Sequence, residues 1–202
     1  TTRKTRYRAD GQQVLRVDEE LTTPVSQALQ DQLFGEVCSQ LETAQAIILS
    51  DYAKGCMPVP LMQNIIKATK DAGKPVIADP KLADFSSYAG VDLLTPNLAE
   101  LRTATALSDD TLDSIAATAG GLAAANDIGA ILATLSARGI LLAHADGNWT
   151  HAPAEARAVF DVSGAGDTVV AMLAACIAAG IRHEDALSLA NMAAGVVVGK
   201  SG

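Results

Sequence analysis

Short apolar segments alternate with longer helix-forming segments through the middle of this chain, and this alternation constrains the fold more than any other feature. Short apolar runs separated by helices predict buried strands, because helices cover both faces of a parallel sheet. The predicted strands are AIILS (46–50), PVIAD (75–79), VDLLT (91–95) and AILATL (130–135). Helices are predicted between them at 58–72, from Leu98 onwards and within 109–126. We therefore predict an α/β fold of three layers with a mainly parallel central sheet.

The two ends of the chain extend this pattern without a linker or an internal repeat. Asp10-Gly11 and Asp146-Gly147 are dipeptides typical of tight hairpin turns. The first turn would join strands at 3–8 and 13–18, and the second would lie in a hairpin within 140–154. The other predicted elements are helices at 25–42, about 166–180 and 183–199, and a short strand at 157–161. One α/β unit accounts for all of them.

Charge and composition exclude several classes of protein. The net charge of −8 repels polyanions, so we expect neither nucleic acid nor an anionic membrane as a partner. The longest apolar run, 169–181, is shorter than the roughly 20 residues of a membrane-spanning helix. The first residues lack the apolar region of a signal peptide, which predicts a cytoplasmic location. Cys38, Cys56 and Cys176 have no paired spacing, which argues against a disulfide framework and a structural zinc site.

Five loops follow predicted strands and are the places where chemistry is expected. In open parallel sheets, ligands bind at the carboxyl ends of the strands. The loops are SDYAKG (50–55), DPK (79–81), TPNLAE (95–100), TLSARG (134–139) and DVSGAGDT (161–168).

The loop DVSGAGDT combines small residues with the start of a helix. Gly164, Ala165 and Gly166 let the backbone approach a ligand, and the N–H groups of a helix N-terminus attract anionic oxygens. Asp167 beside them is a candidate general base, which would take a proton from a hydroxyl that attacks phosphorus. The alternative is that Asp167 is only a favourable acid in the first turn of a helix. The residues alone leave both interpretations open.

Asn97 and Glu100 also allow two interpretations. An Asn three residues before a Glu at a helix start is a capping arrangement. A carboxylate at the carboxyl end of a strand could also hold the water shell of Mg²⁺, which favours few carboxylates together with phosphate oxygens. We expect both roles at once.

The strings DVSGAGD and PNLAE resemble signatures of the ribokinase (PfkB) family of carbohydrate kinases. That resemblance implies a ribokinase-like fold, ATP and Mg²⁺ as cofactors, an anion hole at Gly164, Ala165 and Gly166, and Asp167 as the catalytic base. It also implies that Asn97, Leu98, Ala99 and Glu100 serve the nucleotide phosphates, with Glu100 binding Mg²⁺ through water. Further ATP-binding residues implied by position are Thr134, Ser136, Gly139 and Asn191. A strand-to-turn transition and an ordinary helix residue are the alternatives for these four.

The resemblance extends over essentially the whole chain and is strongest to bacterial heptose-7-phosphate kinases. The combination of SDYAKG, DPK, TPNLAE and DVSGAGDTV carries it, together with the opening TRKTRYRADGQQVLRVD. Asp51, Lys54 and Lys81 are candidates for the substrate side, although solvated lysines would explain the last two. By the same analogy Lys4, Arg6 and Gln13 lie toward the sugar phosphate. The cluster of Arg3, Lys4, Arg6 and Arg8 otherwise fits a solvated strand face.

The chain departs from the family at both ends. The opening strand with a Gly-Asp pair, the Gly-Gly-Ala-Asn segment and the lid strands of such kinases are not found, and the chain stops at GVVVGKSG. We therefore expect residues 1–202 to be the C-terminal portion of a kinase domain. Within it, 1–20 would be a strand pair toward the sugar and 21–202 the ATP-binding and catalytic portion. Half of the sugar pocket would come from elsewhere, so the isolated chain is expected to be inactive.

Three functions remain open at the level of sequence. The first is phosphorylation of a heptose 7-phosphate at its anomeric hydroxyl, giving the 1,7-bisphosphate used for ADP-heptose and lipopolysaccharide core synthesis. The second is another PfkB kinase, acting on fructose phosphate, ribose or a nucleoside. The third is a nucleotide-binding remnant without catalysis. The expected partners are ATP and a sugar phosphate, with a homodimer and a fused C-terminal nucleotidyltransferase as further expectations.

Overall fold

A computed structural model describes residues 3–9, 12–154 and 164–199. Eight strands are described: β1 (Arg3–Ala9), β2 (Gln12–Glu19), β3 (Ile47–Ser50), β4 (Val76–Asp79), β5 (Leu93–Leu94), β6 (Ala130–Thr134), β7 (Ile140–His144) and β8 (Trp149–Ala152). The described α-helices are α1 (Gln27–Gln40), α2 (Val59–Asp71), α3 (Leu98–Ala104), α4 (Leu112–Ala125), α5 (Ala165–Ala178) and α6 (His183–Val198). Short 3₁₀ helices lie at Phe85–Tyr88 and Ser136–Arg138.

The central sheet has six strands in the order β3-β4-β5-β6-β7-β8. Neighbouring strands are parallel from β3 to β6 and antiparallel from β6 to β8. This arrangement confirms the predicted mainly parallel sheet, and the predicted hairpin around Asp146-Gly147 joins β7 to β8. The first two strands form a separate antiparallel pair. The predicted turn at 10–11 and the predicted strand at 157–161 lie outside the described residues.

Alternate residues of the strands enter two apolar clusters, one on each face of the sheet. Ala78, Leu94 and Ile131 pack with α2 and α4. Ile77, Leu93 and Leu132 pack with α5 and α6. Because successive strand residues point to opposite faces, one run of apolar residues fills both clusters. The result is the predicted three-layer fold.

β5 has only two residues, whereas the sequence predicted a strand over 91–95. The chain enters it directly from the 3₁₀ helix, where the N–H of Val91 donates to the carbonyl of Tyr88. The Asp92 side chain accepts from the N–H of Val76 at 2.7 Å. The local turn and the aspartate therefore take groups that a longer strand would use in its ladder.

β3 pairs with β4 on one side only and forms an edge of the sheet. Leu49 faces the core, but Ile48 is 42% exposed on the other face of this strand. The neighbouring helix α1 contains no buried residue. Within the described residues, this edge of the sheet therefore leaves apolar surface exposed.

Two further expectations concern membranes and cysteines. Among the described residues, none of the helices combines the length and the apolar composition of a membrane span. Cys38, Cys56 and Cys176 are free thiols, as predicted.

We expect Leu93→Ala to lower the free energy of unfolding by about 3 kcal/mol, because a fully buried leucine is lost from the shortest strand and leaves a cavity. Leu21→Ala is the matched control, since Leu21 is 64% exposed and its truncation should cost less than about 0.5 kcal/mol. Urea unfolding monitored by circular dichroism measures both variants. Equal losses would contradict the assignment of Leu93 to the core.

Candidate active site

The carboxyl ends of three neighbouring strands meet at one small cavity, called here the edge pocket. Asp79 ends β4, Thr95 follows β5 and Thr134 ends β6. The cavity has a volume of about 190 Å³. Its lining residues are Asp79, Lys81, Thr95, Asn97, Glu100, Thr134, Gly166 and Val170. Residues from four of the five predicted loops therefore lie around one cavity.

Asn97 and Glu100 form a capping box at the start of α3. The Asn97 side chain accepts from the N–H of Glu100 at 2.9 Å, and Glu100 Oε2 accepts from the N–H of Asn97 at 3.0 Å. Glu100 Oε1 accepts from Lys81 Nζ at 2.8 Å. Both residues also line the edge pocket, so capping holds them in place at the cavity. Leu98 and Ala99 form the helical turn between them.

Asp79 lines the edge pocket and has a raised pKa. Burial, followed by the nearby charges of Glu100 and Asp167, raises the pKa of Asp79 to about 6. The ammonium of Lys81 opposes this shift only partly. A carboxylate held among other carboxylates is stabilised by any cation that enters. Asp79 was not among the predicted site residues, although a polar side chain at the end of a buried strand was the available signal in DPK.

No cluster of three or more His, Cys, Asp or Glu side chains that could hold a metal ion exists within the described ranges. Mg²⁺ bound with a nucleotide does not require one, because it takes most of its ligands from phosphate oxygens and water. Asp79 and Glu100 are the carboxylates that line the edge pocket. Their number and position fit such a shared ion.

The loop after β6 is joined by its backbone to the start of α3. The N–H of Thr134 donates to the carbonyl of Pro96 at 2.9 Å, and Thr134 lines the edge pocket. Ser136 has a φ of +55°, a conformation that non-glycine residues seldom adopt. Gly139 has a φ of +89°, and a Cβ there would clash with the carbonyl oxygen of Ala152. Gly139 is thus required by the tight turn itself.

The start of α5 lies beside the edge pocket. Gly164 begins the helix with a φ of +77°, and Gly166 lines the cavity. Among the described residues, no atom lies within 4 Å of the position that a Cβ would take at either glycine. Asp167 is exposed in the first turn of α5, and its charge is close enough to raise the pKa of Asp79. Ala165 is the first helical residue, and residues 161–163 lie outside the described part of the chain.

Three residues predicted for ligand contact are already paired within the protein. Lys54 Nζ lies 2.5 Å from Glu20 Oε1 in an ion pair, which raises the pKa of Lys54. The Asn191 amide donates to the carbonyl of Pro153 at 2.8 Å. Asp51 is buried and accepts two hydrogen bonds from protein groups. None of the three is among the residues that line the edge pocket.

The basic strand pair β1–β2 presents its charges to solvent. All residues of β1, including Lys4 and Arg6, are exposed. Arg16 and Asp18 form an ion pair at 2.9 Å, and Arg3 lies 3.7 Å from Glu19. The side chain of Gln13 lies outside the described structure. The strand pair β1–β2 therefore fits the solvated strand face. Lys4 and Arg6 are accessible to a ligand.

The family model for pfkB family carbohydrate kinases matches residues 6–202. The protein named Bifunctional protein HldE from Paramagnetospirillum magneticum is 48% identical over 202 residues, and that from Rhodospirillum rubrum is 46% identical. Each match covers 100% of this chain and 41% of the relative. The chain therefore spans about two fifths of the length of these curated relatives.

Solved structures share the fold. Ribokinase from Arabidopsis thaliana, complexed with ribose and ATP, superposes with a TM-score of 0.74 at 24% identity, covering 96% of this chain and 61% of that one. Phosphofructokinase-2 from Escherichia coli, in complex with fructose-6-phosphate, gives 0.75 at 18% identity, covering 98% and 64%. The predicted ribokinase-like fold is confirmed.

We expect Asp79→Asn to raise the melting temperature of the ligand-free protein at pH 7. The raised pKa means that ionised Asp79 destabilises the folded state above about pH 6, and this penalty disappears as pH falls toward the ordinary carboxyl pKa near 3.8. The advantage of Asn should therefore shrink between pH 6 and pH 4.

Asp84→Asn serves as a control of opposite sign. Hydrogen bonds from the Ser86 hydroxyl and N–H lower the pKa of Asp84, so its carboxylate stabilises the fold at neutral pH and Asn should lower the melting temperature there. Thermal melts of the three proteins at pH 4 to 8 decide. A change in melting temperature on Asp79→Asn that is independent of pH would show that folding does not raise the pKa of Asp79.

Proposed function

Because this chain belongs to the pfkB family of carbohydrate kinases, we propose that it supplies the nucleotide-binding and catalytic part of an ATP-dependent sugar kinase. The observation that carries the proposal is the edge pocket. This cavity joins Asp79, Glu100 and Lys81 to the N-terminus of α5, and Asp167 lies beside it. Phosphoryl transfer depends mainly on positioning and on stabilising charge, and this arrangement offers both.

The proposed acceptor is D-glycero-D-manno-heptose 7-phosphate, phosphorylated at its anomeric hydroxyl to give the 1,7-bisphosphate for ADP-heptose and lipopolysaccharide core synthesis. Its support is the similarity of SDYAKG, DPK, TPNLAE and DVSGAGDTV to heptose-7-phosphate kinases. The identity of 48% over the whole chain to a bifunctional HldE protein agrees with this choice. A panel of ATP with heptose 7-phosphate, fructose 6-phosphate, ribose and a nucleoside tests it.

Asp167 acts as the general base in this proposal. Its carboxylate takes the proton of the sugar hydroxyl as that oxygen forms a bond to the γ-phosphorus, and the bond from phosphorus to the bridging oxygen breaks to release ADP. The exposed position of Asp167 in the first turn of α5 lets a substrate hydroxyl reach it. Gly164, Ala165 and Gly166 place backbone N–H groups where they can stabilise anionic oxygens at the helix end.

Residues on the sheet side of the edge pocket hold the nucleotide phosphates. Lys81 and Thr134 line the cavity and offer an ammonium and a hydroxyl. Asn97 keeps the start of α3 in place through the capping box. Ser136 and Gly139 shape the following loop, and Asn191 secures the segment at Pro153 that borders Gly139. Their role toward ATP is one of support for the phosphate-binding loop.

Glu100 and Asp79 would hold a magnesium ion that arrives with the nucleotide, Glu100 through water. The raised pKa of Asp79 supports this role, since a nearby cation would relieve the repulsion between its carboxylate and those of Glu100 and Asp167. When bound, the ion neutralises negative charge on the phosphates. Glu100 would hold the ion while keeping its ion pair with Lys81.

The complete enzyme is proposed to contain more than these 202 residues. The chain covers 41% of its first curated relatives, and their printed name is bifunctional. We propose that residues 1–20 face the sugar, that 21–202 carry ATP binding and catalysis, and that a nucleotidyltransferase domain follows in the full-length protein. Lys54, Lys4, Arg6 and Gln13 remain the proposed substrate-side residues, in a cytoplasmic protein that forms a homodimer.

In the full-length protein, Asp167→Asn should lower kcat by roughly 10² to 10⁴, because Asn keeps the shape of the side chain but cannot take the proton. ATP affinity, measured by calorimetry, should stay unchanged. Asp113→Asn removes an equivalent first-turn acid from α4 and is the control. Each variant should lose about 0.3 to 1 kcal/mol of stability from the helix dipole, while only the first loses turnover. Turnover of Asp167→Asn within a few-fold of wild type would remove Asp167 from the mechanism.

In the full-length protein, Glu100→Gln should raise the Mg²⁺ concentration for half-maximal activity by about 10-fold to 100-fold, because a charge is lost from the outer metal shell. Gln can still accept the capping hydrogen bond, so the loss of stability should stay below about 1 kcal/mol. Thr111→Ala, which removes the N-cap of α4, is the control. It should lower the melting temperature without changing the magnesium response. A Glu100→Gln protein that behaves like this control would have a capping role alone.

A further inference from the structure

Tyr88 lies at the end of the 3₁₀ helix Phe85–Tyr88, with its side chain fully buried. Its hydroxyl accepts from the N–H groups of Lys81 at 2.9 Å and Leu82 at 3.1 Å. It donates to Asp51 Oδ2 at 2.8 Å. A hydroxyl has one donor and two acceptor sites, so all three are used.

Asp51 completes this contact from the loop after β3. Its Oδ1 accepts from the N–H of Ala53 at 2.8 Å, while Oδ2 accepts from Tyr88. The residue is only 5% exposed, and its backbone N–H donates to the carbonyl of Asp79. Both carboxylate oxygens therefore have partners within the protein. Burying this carboxylate is costly unless it is hydrogen-bonded, and Tyr88 supplies one of the two bonds.

Packing alone does not account for the hydroxyl. The ring of Tyr88 contacts that of Phe85 edge to face, with 6.4 Å between centroids, and a phenylalanine would preserve this contact. The hydroxyl joins two loops that follow neighbouring strands, one containing Asp51 and one containing Lys81. Burial raises the pKa of Tyr88 well above the physiological range, so it stays protonated and able to donate.

The second of these loops leads directly into the edge pocket. Lys81 is bound at two points, by its N–H at Tyr88 and by its ammonium at Glu100. Asp79 lies two residues earlier and also lines the cavity. A shift of the backbone at Lys81 would therefore change the spacing between its ammonium and both carboxylates.

We propose that the hydrogen bonds among Asp51, Tyr88 and the N–H groups of Lys81 and Leu82 position Lys81 and Asp79 for Mg·ATP. Tyr88 and Asp51 are positioning residues and do not themselves contact the substrate. The role in Mg·ATP binding rests on the proposed function, whereas the fixing of the loop does not. The sequence predicted that Asp51 contacts the sugar. In this proposal it instead helps to position the residues that bind the nucleotide.

The test compares Tyr88→Phe and Asp51→Asn in the full-length protein. Tyr88→Phe leaves the N–H groups of Lys81 and Leu82 without their acceptor, so these two amides should exchange with deuterium about 10-fold to 100-fold faster. Mg·ATP affinity, measured by calorimetry, should fall about 10-fold, as is typical when a supporting residue of a metal site is lost. The KM for the sugar should change little. Asp51→Asn should weaken Mg·ATP in the same direction, and the double variant should lose no more than the weaker-binding single variant.

Thr69→Val is the matched control, because the fully buried Thr69 hydroxyl donates to the carbonyl of Ile65 away from the edge pocket. It should lower global stability without a selective effect at Lys81 and Leu82. Equal exchange in Tyr88→Phe and Thr69→Val would overturn the positioning role. A large rise in sugar KM confined to Asp51→Asn would also overturn it and make Asp51 a sugar ligand.

Failure of the proposed function has a different signature. Deuterium exchange is measured without substrate, so wild-type protein that phosphorylates no sugar while Tyr88→Phe still frees the two amides would contradict the kinase proposal alone. Unchanged exchange in an active Tyr88→Phe enzyme would contradict the role of Tyr88 alone.

Discussion

Parallel pairing of β3, β4, β5 and β6 is the constraint on which the rest of this structure depends. Parallel strands need crossover helices, and those helices cover both faces of the sheet, so the strands themselves are apolar. In β3 to β6 the polar residues therefore lie at the ends of the strands and in the loops that follow them. Their carboxyl ends lie at one edge, and Asp79, Thr95 and Thr134 consequently surround one cavity although they are far apart in the chain.

The same edge concentrates charges that oppose folding. Asp79 is partly buried near Glu100 and Asp167. Its raised pKa means that the ionised carboxylate destabilises the folded state. Lys81 offsets part of that cost by its ion pair with Glu100. Glu100 is held by the capping box, so the free energy that stabilises α3 also keeps this carboxylate at the pocket. Stability and ligand binding are thus coupled through shared side chains.

Most of the fold follows from local patterns in the sequence. Apolar runs predicted β3, β4 and β6, the Asp-Gly dipeptide predicted the hairpin, and Asn97 with Glu100 predicted the capping box. These features depend on residues close in sequence. The shortening of β5 was not predictable, because it depends on the approach of the chain from Tyr88 and on the Asp92 side chain.

The candidate site was predictable only in part, for the same physical reason. The strand-end rule located the cavity, and the family resemblance selected Asn97, Glu100 and Gly166 around it. The bond between Tyr88 and Asp51 spans 37 positions, and no local pattern indicates it. The hydrogen bond between Asn191 and Pro153 spans 38 positions. Such contacts decide which polar side chains are used internally, and only the folded chain shows them.

The position of Trp149 has an optical consequence. It is the only tryptophan of the 202 residues, and it lies 40% exposed on β8, at the antiparallel end of the sheet. Intrinsic tryptophan fluorescence therefore reports on the hairpin of β7 and β8, whereas far-ultraviolet circular dichroism is dominated by the helices. The two signals coincide during unfolding only when the hairpin and the helical layers unfold together. Comparing them therefore tests whether the sheet unfolds cooperatively.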